Sequence, residues 1–279
     1  MSTKQEKKLH IDKQRLKNLK PYLDQLTEHV ETEEYIATDP VQFIHAFEKK
    51  EDQLIAGFFA ATMAWGRRDI VIRKVEDFLG RMDFQPQSFI RSYSQSDRDI
   101  LRGFKHRTFK PVDMHWMIII IQRIIDRYGS FEKFWEFCYA KSNGDNRQFM
   151  SNIHNYFFDL APEAAQRTRK HVSRADRNSA CKRLWLFLKW TTRPNSPVDL
   201  PLMDFISTSE LMIPLDVHVA RHSRALGLLK RKSNDWKAVE KLTHILRFLD
   251  PEDPVKYDYA LFGMSDYPGF IPERFYGTH

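Results

Sequence analysis

Over 236–248 the sequence is amphipathic, with large apolar residues at 236, 239, 242, 245 and 246, continued by 249, and mostly polar residues between them. Three-and-four spacing draws one stripe along a helix; a strand, whose side chains alternate with a period of two, would scatter it over both faces. The same spacing recurs along most of the chain. Leu54, Phe58, Ala61 and Trp65 form one stripe, and Ile72, Val75, Phe78 and Leu79 continue a second helix after Gly66. Further helices are predicted over 114–128, 131–139 (after Gly129-Ser130), 149–160, 181–191 and 254–264, with a short one over 204–212. Another opens at Asp216, a good N-cap, and runs to about Leu226, where Gly227 supplies a left-handed C-terminal cap. Alternating patterns are rare, so an all-α fold of about ten helices is expected.

Residues 1–39 read as a charged N-terminal extension of one or two helices, 40–264 as the helical body, and 265–279 as an irregular tail. A loop is expected over 192–201, which holds three prolines beside Asn195 and Ser196. With 279 residues the chain can bury a large core, as one domain with two lobes or as two small domains. The longest apolar run, 117–121, is too short to span a bilayer, so no membrane is expected as a partner. The first twenty residues are Lys-rich and lack the apolar stretch of a signal peptide. Two cysteines, Cys138 and Cys181, cannot make a four-thiolate metal or iron–sulfur site, and a reducing, cytoplasmic setting suits them best.

The formal charge of +7 favours a polyanionic partner, and it is unevenly spread. From 167 to 193 there are nine Lys/Arg residues against one acid, Asp176. A solvated helix normally mixes both signs, so a phosphate-binding face is the expectation.

Lys182 lies in that block, at the start of an otherwise apolar helix that Asn178 or Ser179 can cap. An amine among cations and apolar walls has its charged form disfavoured, which is how a lysine becomes a nucleophile at neutral pH. Lysine plus aspartate is the minimum set for releasing a base from deoxyribose and opening the sugar, and Asp216 supplies the carboxylate. Lys189, two helical turns on, is the reserve nucleophile. His218 and His222 stand four apart on one helix, but only Asp216 is near enough in sequence to join them as a ligand. Polar surface or phosphate contact is the better reading of both, so no metal and no cofactor are expected. Trp65 is either core or a wedge for the space left by a flipped base.

The segment 213–221, Ile-Pro-Leu-Asp-Val-His-Val-Ala-Arg, with Leu226-Gly227-Leu228 after it, is similar to the catalytic-aspartate segment of the helix-hairpin-helix DNA glycosylases, the endonuclease III superfamily. There a Val-Asp-Thr-His-Val-x-Arg pattern opens a helix. The stretch 182–190 resembles the helix bearing the Schiff-base lysine in the archaeal 8-oxoguanine glycosylase branch, with a similar separation; Lys182 and Asp216 are 34 apart. Residues 54–65 with Gly66-Arg67-Arg68 resemble the superfamily's early helix and DNA-facing turn. More closely, 179–184, 214–216 and 253–258 resemble an uncharacterised bacterial domain-of-unknown-function family, number 2400, over about 52–264; that family brings no activity with it.

The resemblance implies a two-lobed, all-α fold of the glycosylase type and a base-excision glycosylase with AP-lyase activity. It also implies damaged duplex DNA as partner and a bacterial, nucleoid-associated setting. Lys182 and Asp216 would be catalytic. Arg67, Arg68, Arg174, Arg177, Asn178, Ser179, Arg183, His218 and Arg221 would grip the DNA. The alternative is a non-catalytic DNA- or structured-RNA-binding protein on the same fold. Two departures weigh against transfer of activity. The Leu-Pro-Gly-x-Gly hairpin is replaced by 174–178, which holds no glycine, and the terminal cysteine cluster is missing.

Overall fold

The computed structural model describes residues 11–277, so the outermost parts of the expected extension (1–10) and tail (278–279) lie outside the described residues. The described chain is all-helical and contains no strand, only two isolated bridges, His106 to Phe109 and Ser179 to Asp235. In chain order the helices are α1 (Lys13–Val30), α2 (Glu33–Ile36), α3 (Gln42–His45), α4 (Lys50–Met63), α5 (Arg68–Gly80), α6 (Pro86–Ser92) and α7 (Pro111–Tyr128). They continue with α8 (Phe131–Ala140), α9 (Asn146–Asp159), α10 (Lys182–Thr192), α11 (Val217–Ala225), α12 (Trp236–Leu249) and α13 (Tyr257–Gly263). No helix among the described residues is long and apolar enough to cross a membrane.

The predicted helix boundaries agree with local chemistry. The α7–α8 junction falls at Gly129, left-handed at φ +90°, and the Ser130 side chain then accepts from the Lys133 amide to start α8. Asp145, Asp216 and Asp235 cap α9, α11 and α12 in the same way. One expected helix is absent. Over 204–212 only a single 3-10 turn forms, Thr208–Glu210. Arg247 donates to the carbonyls of Ser209, Glu210 and Leu211 and thereby takes backbone acceptors that a continuing helix would use.

Two central helices carry the site. Helix α4 is buried from Leu54 to Met63 and packs against α10, where Phe58, Trp135 and Phe187 make edge-to-face contacts. Helix α1 is no loose extension: Leu16, Leu19, Leu23 and Leu26 are fully buried, and the helix lies along α13. Each such leucine contributes about 1.5–3 kcal/mol of apolar burial. The 192–201 loop is irregular, as its prolines dictate. It is pinned by Arg193, which is buried and ion-paired to Glu31, Asp199 and Asp253.

Candidate active site

Leucine-rich α10 turns one stripe outward. Lys182, Leu186, Lys189 and Trp190, at helical spacing, line a cleft of about 640 Å³. Across from them stand Pro214, Leu215, Asp216, Val217 and His218. The remaining walls come from Tyr35, Asp39 and Pro40, Ala64 to Arg68, Val71, Asn234, and Asp258 with Phe262 of α13. Its size and its mixture of aromatic walls with a few charged groups are those of a small-molecule site.

Lys182 and Asp216 meet here: the amine lies 3.6 Å from the Asp216 carboxylate. Both are held by backbone. Asp216 is the N-cap of α11, with Oδ1 accepting from the Val219 amide at 2.7 Å, so Oδ2 is left to face the lysine. The segment ahead of it is fastened by the Ile213 amide donating to Thr243 of α12. Lys182 is the first residue of α10, behind a turn whose backbone is left-handed at Asn178 (φ 63°) and Cys181 (φ 49°). The turn thus holds left-handed backbone without glycine, at an asparagine that tolerates it and at a buried cysteine. The surroundings of Lys182 differ from those its neighbours in sequence suggest, because a carboxylate stands 3.6 Å from its amine.

Deeper in the cleft, Lys189 donates to Asp258 at 3.0 Å and sits 3.4 Å from the centre of the Tyr259 ring. It is buried and committed to that pair. Asp39 accepts from the Val41 amide and the Tyr35 hydroxyl. Burial pushes the carboxyls of Asp39 and Asp258 up, against the pull of nearby cations, and raises Tyr35 well above the usual phenol range. Arg68 lies between the rings of Phe262 and Tyr35, at 4.5 and 5.5 Å. Trp65 is half-exposed at the rim, with the Arg107 guanidinium 5.7 Å from its ring centre and donating to its carbonyl.

The predicted DNA-binding residues divide. Arg67, Arg68 and His218 line the cleft, and His218 rests against Phe262. Asn178 and Ser179 adjoin its rim by pairing with Asp235, the neighbour of Asn234. Arg177 is exposed on the same turn, whereas Arg174 is tied to Asp176. Arg221 is exposed and donates to Ser265, to which His222 is also bonded. Arg183 points inward and donates to the Thr62 carbonyl at the end of α4.

The nine-cation block does not form one phosphate-binding face. Lys189 and Arg193 are buried in ion pairs and Arg167 is bound to buried Asp113. The acids of 250–258 disperse likewise: Asp250 to Lys256, Asp253 to Arg193, Asp258 to Lys189. Sequence reasoning missed Tyr35 and Asp39 altogether; their spacing of four on one short turn ending at Pro40 was the available signal. No group of three or more His, Cys, Asp or Glu among the described residues is placed to hold a metal ion.

Residues 39–266 match the model of one protein family, described as a protein of unknown function (DUF2400). No curated protein and no solved structure matches the chain.

Proposed function

We propose, for a chain that belongs to the DUF2400 family of proteins of unknown function, that its cleft excises damaged bases from DNA and cleaves the resulting abasic site. The observation carrying this reading is the approach of Lys182 to Asp216, 3.6 Å apart in the wall of an aromatic-lined cleft. In this reading the helices form two lobes that meet at the cleft, and the left-handed turn into α10 serves as the hairpin of a glycosylase-type fold. Asp216 takes a proton from Lys182 and hands it to the departing base, and the carboxylate so restored stabilises positive charge at the anomeric carbon. The neutral amine attacks that carbon, and the glycosidic bond breaks with its electron pair leaving on the base, which takes up a proton. Transfer of one of the two remaining amine protons to the ring oxygen breaks the bond from that oxygen to the anomeric carbon and opens the sugar as a protonated Schiff base. Abstraction of a 2′ proton then expels the 3′ phosphate, and water frees the lysine.

Borohydride trapping on duplexes carrying an abasic site, hypoxanthine, 8-oxoguanine or uracil tests this. A covalent adduct is expected with wild type and none with Lys182→Ala. Asp216→Asn should slow adduct formation by about a hundredfold or more. An adduct that survives Lys182→Ala overturns the assignment. No adduct on any duplex, with salt-sensitive binding intact, makes the chain a DNA- or structured-RNA-binding protein instead.

A further inference from the structure

We infer that Arg68 reads the base: the cleft suits a nucleobase presenting two adjacent hydrogen-bond acceptors on one edge, the O6–N7 edge of a deaminated purine such as hypoxanthine. This rests on the base-excision reading above and adds to it the class of base. Arg68 is the first residue of α5, so a helix fixes its backbone. Its guanidinium lies 4.5 Å from the centre of the Phe262 ring and 5.5 Å from that of Tyr35, and the side chain is about one-third exposed in the cleft wall. The nearest carboxylates, Asp39 at 3.8 Å and Asp266 at 3.6 Å, lie beyond hydrogen-bond length. Among the described residues its guanidinium is ion-paired to these two carboxylates but donates no hydrogen bond of normal length.

Other cations here make closer bonds: Lys189 to Asp258, Arg67 to Asp69 and Arg183 to the Thr62 carbonyl, while Lys182 faces Asp216. Both oxygens of Asp39 are taken by donors of its own turn. The wall at Arg68 therefore offers a ligand a rigid planar fork of donors and few acceptors.

Such a fork pairs with two acceptors side by side in one plane, as arginine does with O6 and N7 of guanine. Hypoxanthine carries the same pair. Adenine places an amino donor where O6 would be, 8-oxoguanine carries a hydrogen on N7, and the two carbonyls of uracil are separated by an N–H. Cytosine-derived bases offer O2 and N3, but a cleft of about 640 Å³ has room for two rings. A deaminated purine also sits in a mismatch, which lowers the cost of extruding it.

The test offers duplexes with hypoxanthine, 7-deazahypoxanthine (N7 replaced by C–H), 5-hydroxycytosine or an abasic site to wild type, Arg68→Lys and Arg68→Met. Equilibrium binding, excision and borohydride trapping are followed, and thermal melting checks folding. Wild type should prefer hypoxanthine to its 7-deaza form by about tenfold or more, and both variants should close that gap. The wild-type comparison stands even if a variant fails to fold. Equal handling of the two purines, with abasic sites still trapped, overturns the role of Arg68 and leaves the lyase reading. Absence of trapping, with a binding preference that depends on Arg68, overturns the lyase reading and keeps Arg68 as the base reader. Preference for 5-hydroxycytosine overturns the purine assignment. Uniform weakening on all duplexes with a shallower salt dependence makes Arg68 a phosphate contact and overturns the proposal.

Discussion

Asp216 does two jobs with two oxygens, one accepting from the Val219 amide and the other facing Lys182. They can be separated because asparagine caps a helix about as well as aspartate, while alanine does not. Asp216→Asn is expected to melt within a degree or two of wild type yet lose borohydride trapping. Asp216→Ala should lose the same trapping and also about 1 kcal/mol of stability, read from urea unfolding. Equal melting of the two variants would show that the cap contributes nothing. Lys189 and Asp258 pose the opposite case, a charge pair removed from water. Truncating one partner leaves an uncompensated buried charge, so Lys189→Met should destabilise by about 3–5 kcal/mol. The double replacement Lys189→Met, Asp258→Leu should recover most of that loss. A double variant as unstable as the single would mean that the pair is needed for packing around Tyr259 and that its charge balance is secondary.

At the scale of elements, helices announced themselves where a cap or breaker coincided with the end of a stripe. That is why α7, α8, α11 and α12 lie within a few residues of their predicted bounds. The pairing of Lys182 with Asp216 was legible through resemblance, but its partners deeper in the cleft were not. Asp258 looked like one of several acids around two prolines, and only the packing of α13 against α1 and α11 brings it to Lys189. The basic block misled for the same reason: a local excess of cations does not reveal acids such as Asp113 or Asp199 that arrive from distant segments. The docking of α1 on α13 rests on Gly263, where an added Cβ would lie 2.5 Å from Val30 Cγ2. Gly263→Ala should therefore cost about 1–3 kcal/mol through overpacking. Pairing it with Val30→Ala, which makes room, should restore part of the loss; purely additive losses in urea unfolding would refute that contact.

The molecule as a whole buries histidines that its net charge does not reveal. His106, His115, His154 and His171 are all nearly inaccessible. Burial holds each of them below the ordinary imidazole value, with His115 pushed down to about 4. His106 bonds the Met63 carbonyl, and so secures the end of α4 beside the cleft; His154 bonds the Val172 carbonyl. In the unfolded chain these rings titrate near 6.5. Between that value and their lower folded values the unfolded state binds more protons, so stability is full above about pH 6.5 and falls as the pH drops. Protonation of Asp39 and Asp258, whose carboxyls burial raises, acts in the opposite sense and offsets part of the loss. Asp235, held at about 2 by its bond from Arg231, adds a further loss only below the ordinary carboxylate range. The His115 shift alone corresponds to roughly 3 kcal/mol lost between pH 7 and pH 4. Urea midpoints at pH 7.5, 6, 5 and 4.5 should fall steadily, and His115→Leu should flatten part of that slope. A slope that His115→Leu leaves untouched would move the acid sensitivity to the other three rings, and a midpoint that stays constant from pH 7.5 to 5 in wild type and in His115→Leu alike would mean that His115 is not held neutral by the fold.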